Sequence, residues 1–145
     1  MKLIRPMTWW MFAFISALAA SATAILAKIG IKGVPSNLAT AVRTGVVLVF
    51  AWGIVFAGGD HRGLRDLKAR SLLFLVLSGV GTGVSWLAYF KALQMAPASR
   101  VAPIDKLSLA FTIVLASFVL GEPISWKIGL GAALMVAGAL LTLGG

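Results

Sequence analysis

Apolar runs of about 20 residues alternate with short polar breaks along the chain, over Trp9 to Ile31, Ser36 to Ala57, Ser71 to Ala92, Val101 to Leu120 and Ser125 to Leu143. Each run is continuous rather than alternating over about 10 residues, so it predicts a membrane-crossing helix and not the strand of a barrel. In lipid, every backbone N–H and C=O must be satisfied within its own segment or a closed sheet, and continuous apolar runs select the first solution. The expected fold is an all-α integral membrane protein of five transmembrane helices, forming a single domain over residues 1–145.

Within the runs, the polar positions fall at helical spacing. In the first helix, Ala13, Ser16, Ala17, Ala20, Thr23, Ala24 and Ala27 share a broad face, which serves either close helix packing or a cavity. Trp9 and Trp10 suit a head-group belt, and Lys28 and Lys32 close the run. The run is too long for the core of a signal peptide and is read as a retained span. Gly33, Pro35 and Ser36 mark the turn into the second helix. There Arg43 lies about 10 Å along the axis from Ser36, and a lone arginine at depth costs about 2.5–3.5 kcal/mol. Something must compensate that charge: Arg43 either meets an anionic or zwitterionic substrate or is a structural arginine.

From Gly58 to Arg70 the chain is polar, an extramembrane loop with a short amphipathic turn around Leu64 and Leu67 and with His61 read as a solvated residue. In the third helix Ser78, Thr82, Ser85 and Tyr89, spaced i, i+4, i+7, i+11, make one polar stripe with Trp86 beside it. Interhelical hydrogen bonding explains such a stripe, and so does the lining of a cavity. Pro97 and Pro103 predict a break and a helix start near Val101 to Pro103. In the fourth helix Asp105, Ser108 and Thr112 share a face, and Asp105 pairs with either Arg43 or Lys106. Small residues in the fifth helix, Gly129, Ala132, Ala133, Ala137 and Gly138, suit tight packing and no chemistry.

Composition supports the membrane reading: 60% of the 145 residues are hydrophobic. A net charge of +9 would point to nucleic acid in a soluble chain, but here most cations sit at the ends of apolar runs, where they set topology and meet anionic lipid, so no nucleic-acid partner is expected. With no cysteine, one histidine and four acids, the chain offers little material for a metal site or a catalytic triad, and neither an enzyme nor a cofactor is expected.

The segment from Ala92 through Pro97, Arg100 and Pro103 to Ile104, with Leu107-Ser108, Phe111-Thr112, Leu120-Gly121-Glu122-Pro123-Ile124-Ser125 and Gly129, Gly131, Ala132 and Gly138, resembles the EamA repeat of the drug/metabolite transporter superfamily. An arginine in the second helix, here Arg43, is in keeping with that repeat. The resemblance implies that a full pathway takes two repeats, inverted about a midplane site. This chain has one, like the half-size members, so a second subunit is expected: an antiparallel homodimer or a homologous half-size partner. It implies a secondary transporter of a small polar or amphipathic metabolite, amino-acid-like or an organic anion, working by alternating access. Ser16, Arg43, Ser78, Thr82, Ser85, Trp86, Tyr89, Asp105, Ser108 and Thr112 are the expected substrate contacts.

The small multidrug resistance proteins are similar in size and in dual topology, but they use a carboxylate in the first helix, and the first helix here has no acid. A non-transporting membrane scaffold is the further alternative. With the N-terminus inside, Lys2, Arg5, Arg62, Arg65, Lys68, Arg70 and Lys127 fall on the cytoplasmic side, against Lys28, Lys32, Lys91, Arg100 and Lys106 outside. That small bias predicts a multi-pass protein of the cell (inner or plasma) membrane with a cytoplasmic N-terminus, and leaves dual insertion open.

Overall fold

The computed structural model describes residues 8–144. Lys2 and Arg5, used above for topology, lie outside them. The fold is all-helical, and the helices sort into two compact units, Ile31–Pro97 and the first helix together with the segment from Ala98 onward.

In the unit Ile31–Pro97, α2 (Ser36–Gly58) and α3 (Ala69–Met95) flank a 3₁₀ helix over Asp60–Asp66. Pro35, fixed at φ −55° and ψ 135°, leads into α2, and its carbonyl accepts the Ala39 N–H at 3.0 Å. Behind it the hydroxyls form a ladder: Thr40 Oγ1 donates to the Ser36 carbonyl at 2.9 Å and Thr44 Oγ1 to the Thr40 carbonyl at 2.8 Å. Gly59 ends α2 at φ +79°, a conformation that costs a side chain and suits glycine.

Helix α3 runs three residues past its expected end at Ala92. It stops where Pro97 forces the preceding residue, Ala96, into an extended conformation. At 27 residues it is about 40 Å long, more than the roughly 30 Å hydrocarbon core, so at least one end projects beyond it. Burial in this unit is confined to the start of α2 and the end of α3: Leu93 is fully buried, and Ile31, Ser36, Thr40 and Phe90 are nearly so. Gln94 Nε2 donates to the Val34 carbonyl at 2.7 Å and ties the end of α3 to the turn before α2. By contrast, residues 71–82 of α3 are all exposed.

The 3₁₀ helix bears out the amphipathic turn, but His61 is not the solvated residue expected. Its ring packs 5.5 Å from Phe56, which in turn lies 5.6 Å from Trp52, and its Nδ1 is shut off from solvent with no hydrogen-bond partner among the described residues. A polar loop folded back on an aromatic helix face buries whichever side chain meets that face.

In the other unit, α1 (Trp9–Gly30) packs on α4 (Ala98–Asp105), and both α4 and α5 (Leu107–Leu115) pack on α6 (Trp126–Leu141). The buried residues are small or β-branched, Val101, Ala110 and Ala139, as close packing between membrane helices requires. The helix after the break begins at Ala98, earlier than the expected Val101. Pro103 lies inside α4 rather than at its start, because its ring removes one backbone donor without preventing the first turn. At Lys106 α4 gives way to α5, and the Leu109 N–H reaches back only three residues to the Lys106 carbonyl, at 3.0 Å. A π-turn over Ala116–Leu120 follows and ends at Gly121, φ +71°.

Helix α6 is capped by the Ser125 hydroxyl, which accepts the Ile128 N–H at 3.3 Å. Its 16 residues span about 24 Å, less than a full bilayer core. Four segments are long and apolar enough to cross a membrane: α1, α2, α3 and the stretch Ala98–Leu120. With α6 as a shorter apolar helix, the chain is a multi-pass membrane protein.

Candidate functional site

Arg43 sits two helical turns into α2, on the side that meets α3. Its guanidinium lies over the Trp86 ring at 4.2 Å from the centroid and 5.5 Å from the centroid of Phe90. Trp86 and Phe90 are four residues apart on α3, so their rings stand on one face, one turn apart. Phe90 is almost fully buried, while Arg43, Trp86 and Tyr89 are half-buried. The Tyr89 ring meets Phe90 edge-on, with centroids 6.4 Å apart.

The negative ring faces compensate the arginine electrostatically. A cation–π contact contributes about 0.5–1 kcal/mol when exposed and about 2 or more when desolvated, so two of them are commensurate with the cost of an arginine at membrane depth. No carboxylate among the described residues pairs with Arg43. Asp105 is paired with its neighbour Lys106, Nζ to Oδ2 at 3.1 Å, which decides between the two partners the sequence left open for it. A guanidinium stacked on rings keeps its charge and its in-plane fork of N–H donors, the geometry that matches a carboxylate or phosphate.

Of the ten expected substrate contacts, the unit Ile31–Pro97 brings together Arg43 and Trp86, with Tyr89 beside them through Phe90. Ser78, Thr82 and Ser85 continue the stripe along α3 and are exposed. Thr82 Oγ1 donates to the Ser78 carbonyl at 3.0 Å, which uses its proton within its own helix and leaves its lone pairs as acceptors. Ser16, Asp105, Ser108 and Thr112 belong to the other unit. There Ser16 and Ser108 are exposed, Asp105 is half-buried, and Thr112 Oγ1 donates to the Ser108 carbonyl at 2.7 Å.

Phe90 completes the site and was missed from sequence. Its position four residues after Trp86 was the available signal, but on an apolar helix one more phenylalanine looks like any lipid-facing residue. The buried residues Ser36 and Thr40, two turns and one turn before Arg43, carried no such signal in the sequence.

Comparison with known proteins agrees with this architecture. Residues 7–144 match the EamA-like transporter family. A Sinorhizobium protein described as an uncharacterized transporter in the cobO 3′ region is 43% identical over 134 residues, covering 92% of this chain and 95% of that protein. An Enterobacter protein described as a probable 4-amino-4-deoxy-L-arabinose-phosphoundecaprenol flippase subunit, ArnE, is 33% identical over 104 residues, covering 69% of this chain and 95% of its own length. No solved structure matches the chain at a significant level. A multi-pass helical chain that the family model matches almost from end to end, and that covers 95% of each of these two relatives, belongs to the EamA-like transporter family.

Proposed function

We propose that the chain is a half-size secondary transporter that moves a small polar or amphipathic metabolite, amino-acid-like or an organic anion, by alternating access. It works as a dimer, either an antiparallel pair of identical chains or a pair with a homologous half-size subunit. Arg43 against Trp86 and Phe90 is the observation that carries this reading. A permanent cation held by ring faces inside a span retains donors for an anionic group on the cargo. Tyr89 and Ser85 would add adaptable hydrogen bonds, while Thr82 and Thr112 would act as acceptors. Ser16, Ser78, Asp105 and Ser108 are proposed as further contacts. The proposed site of action is the cell (inner or plasma) membrane, with the N-terminus in the cytoplasm.

A second reading changes the cargo and keeps the site. The Enterobacter relative is named for a lipid-linked phosphate, and the Arg43 fork suits a phosphate as well as a carboxylate. Export of lipophilic cations fits least, because a fixed positive charge in the site repels them.

The test is flux into proteoliposomes for Arg43→Gln beside the unaltered chain, with dimer content measured in parallel. A transporter loses anion flux while its assembly stays intact, whereas loss of assembly alone would make the chain a scaffold. A ligand-induced thermal-shift screen across amino acids, organic acids and lipid-linked phosphates separates the two cargo readings, because preferential binding to the folded state raises its melting temperature.

A further inference from the structure

The 3₁₀ helix Asp60–Asp66 has three residues per turn, so its side chains sort into ridges three apart. Arg62 and Arg65 make one ridge, while His61 and Leu64 make another, which turns toward α2. His61 rests on Phe56, and Leu64, with Leu67 just beyond the helix, faces Ala51, Trp52 and Val55 across a cleft of about 360 Å³. That volume lies at the low end of the range for ligand sites. The walls are apolar apart from Asp60, and Trp52, Leu64 and Leu67 remain 39%, 49% and 42% exposed. An extramembrane turn thus carries apolar side chains that its own unit leaves partly uncovered.

The depth of the cleft narrows the occupant. Helix α2 has 23 residues, about 34 Å, so its last turns reach the edge of the hydrocarbon core, and Trp52, about 9 Å before its end, falls within acyl-chain depth. In the same segment Arg62, Arg65, Lys68 and Arg70 are all exposed, four cations against its two acids, Asp66 and Asp60, the latter in the cleft wall. A water-soluble anion would meet the cations and leave the apolar walls wet, while an uncharged lipid would fill the walls and leave the cations unused.

We propose that this cleft binds an anionic phospholipid, with one acyl chain against Trp52, Leu64 and Leu67 and the phosphate held by Arg62 and Arg65. The site is separate from Arg43, and the proposal does not depend on what the protein transports.

The experiment titrates the purified full-length chain in detergent micelles with phosphatidylglycerol, with phosphatidylcholine of the same chain length and with inorganic phosphate, reading bound lipid by native mass spectrometry. Phosphatidylglycerol is expected to bind at least about tenfold more tightly than phosphatidylcholine, since each cation at the membrane surface contributes about fivefold. The double variant Arg62→Gln/Arg65→Gln should lose about 25-fold in affinity for phosphatidylglycerol and little for phosphatidylcholine. Arg62→Lys/Arg65→Lys, which keeps the charge, should retain binding, and so should Lys127→Gln, a cation on α6. Leu64→Asn should weaken both lipids. Equal binding of the two lipids, or unchanged phosphatidylglycerol binding by the glutamine variant, overturns the proposal. So does complete displacement of the lipid by millimolar inorganic phosphate, which would mean that the cations act without the cleft.

Discussion

Removing Trp86 tests whether ring faces hold the Arg43 charge in the membrane. The guanidinium lies 4.2 Å from the Trp86 centroid and 5.5 Å from that of Phe90, so the nearer ring should account for most of the attraction. For a half-buried pair this is about 1–2 kcal/mol. Trp86→Leu also removes apolar surface, so its single effect mixes packing with electrostatics. A double-mutant cycle with Arg43→Met isolates the pair. Each of the four proteins is unfolded from detergent micelles, and the coupling energy is the departure from additivity. We expect a coupling of about 1–2 kcal/mol, so that Trp86→Leu costs that much less beside methionine than in the wild-type background, where its packing loss is the same. Non-interacting sites add within about 0.3–0.5 kcal/mol. A coupling inside that range would refute the reasoning, and Arg43 would then be held by something other than its stack.

Phe90→Ala should cost about 3–5 kcal/mol, because this side chain is only 3% exposed and leaves a cavity at the closed end of α2 and α3; a fall in the detergent melting temperature checks it. Gln94→Ala breaks the 2.7 Å bond to the Val34 carbonyl and should cost about 0.5–1.5 kcal/mol, with faster amide exchange over residues 31–36. Ser125→Ala removes the α6 cap, for a loss of about 0.5–2 kcal/mol, while Ser125→Asp should retain most of the stability in the same melt.

The helices could be read from the chain because lipid imposes a local rule: each apolar run must satisfy its own backbone, so α1 and α2 match the expected ranges within a residue at either end. The deviations arise at proline, whose effect depends on context. Pro97 ends α3 through its steric demand on Ala96, whereas Pro103 is tolerated inside α4, which runs on to Asp105. The site was legible in part. An arginine inside an apolar run announces a need for compensation, and Trp86 was visible beside its polar stripe. The identity of the compensating group was not legible, because an acid, a helix-end carbonyl and an aromatic face all answer the same need.

The sequence by itself determined that this is a multi-pass helical membrane protein of the EamA kind, since hydropathy, span length and the motif from Ala92 to Gly138 are properties of the chain read along its length. Only the tertiary structure decided that Arg43 rests on Trp86 and Phe90, that Asp105 turns to Lys106, and that His61 folds onto Phe56 beside an apolar cleft. The reason is physical: Arg43 and Trp86 are 43 residues apart, and which rings it meets depends on the rotation of α2 against α3. Packing sets that rotation, and no local pattern encodes it.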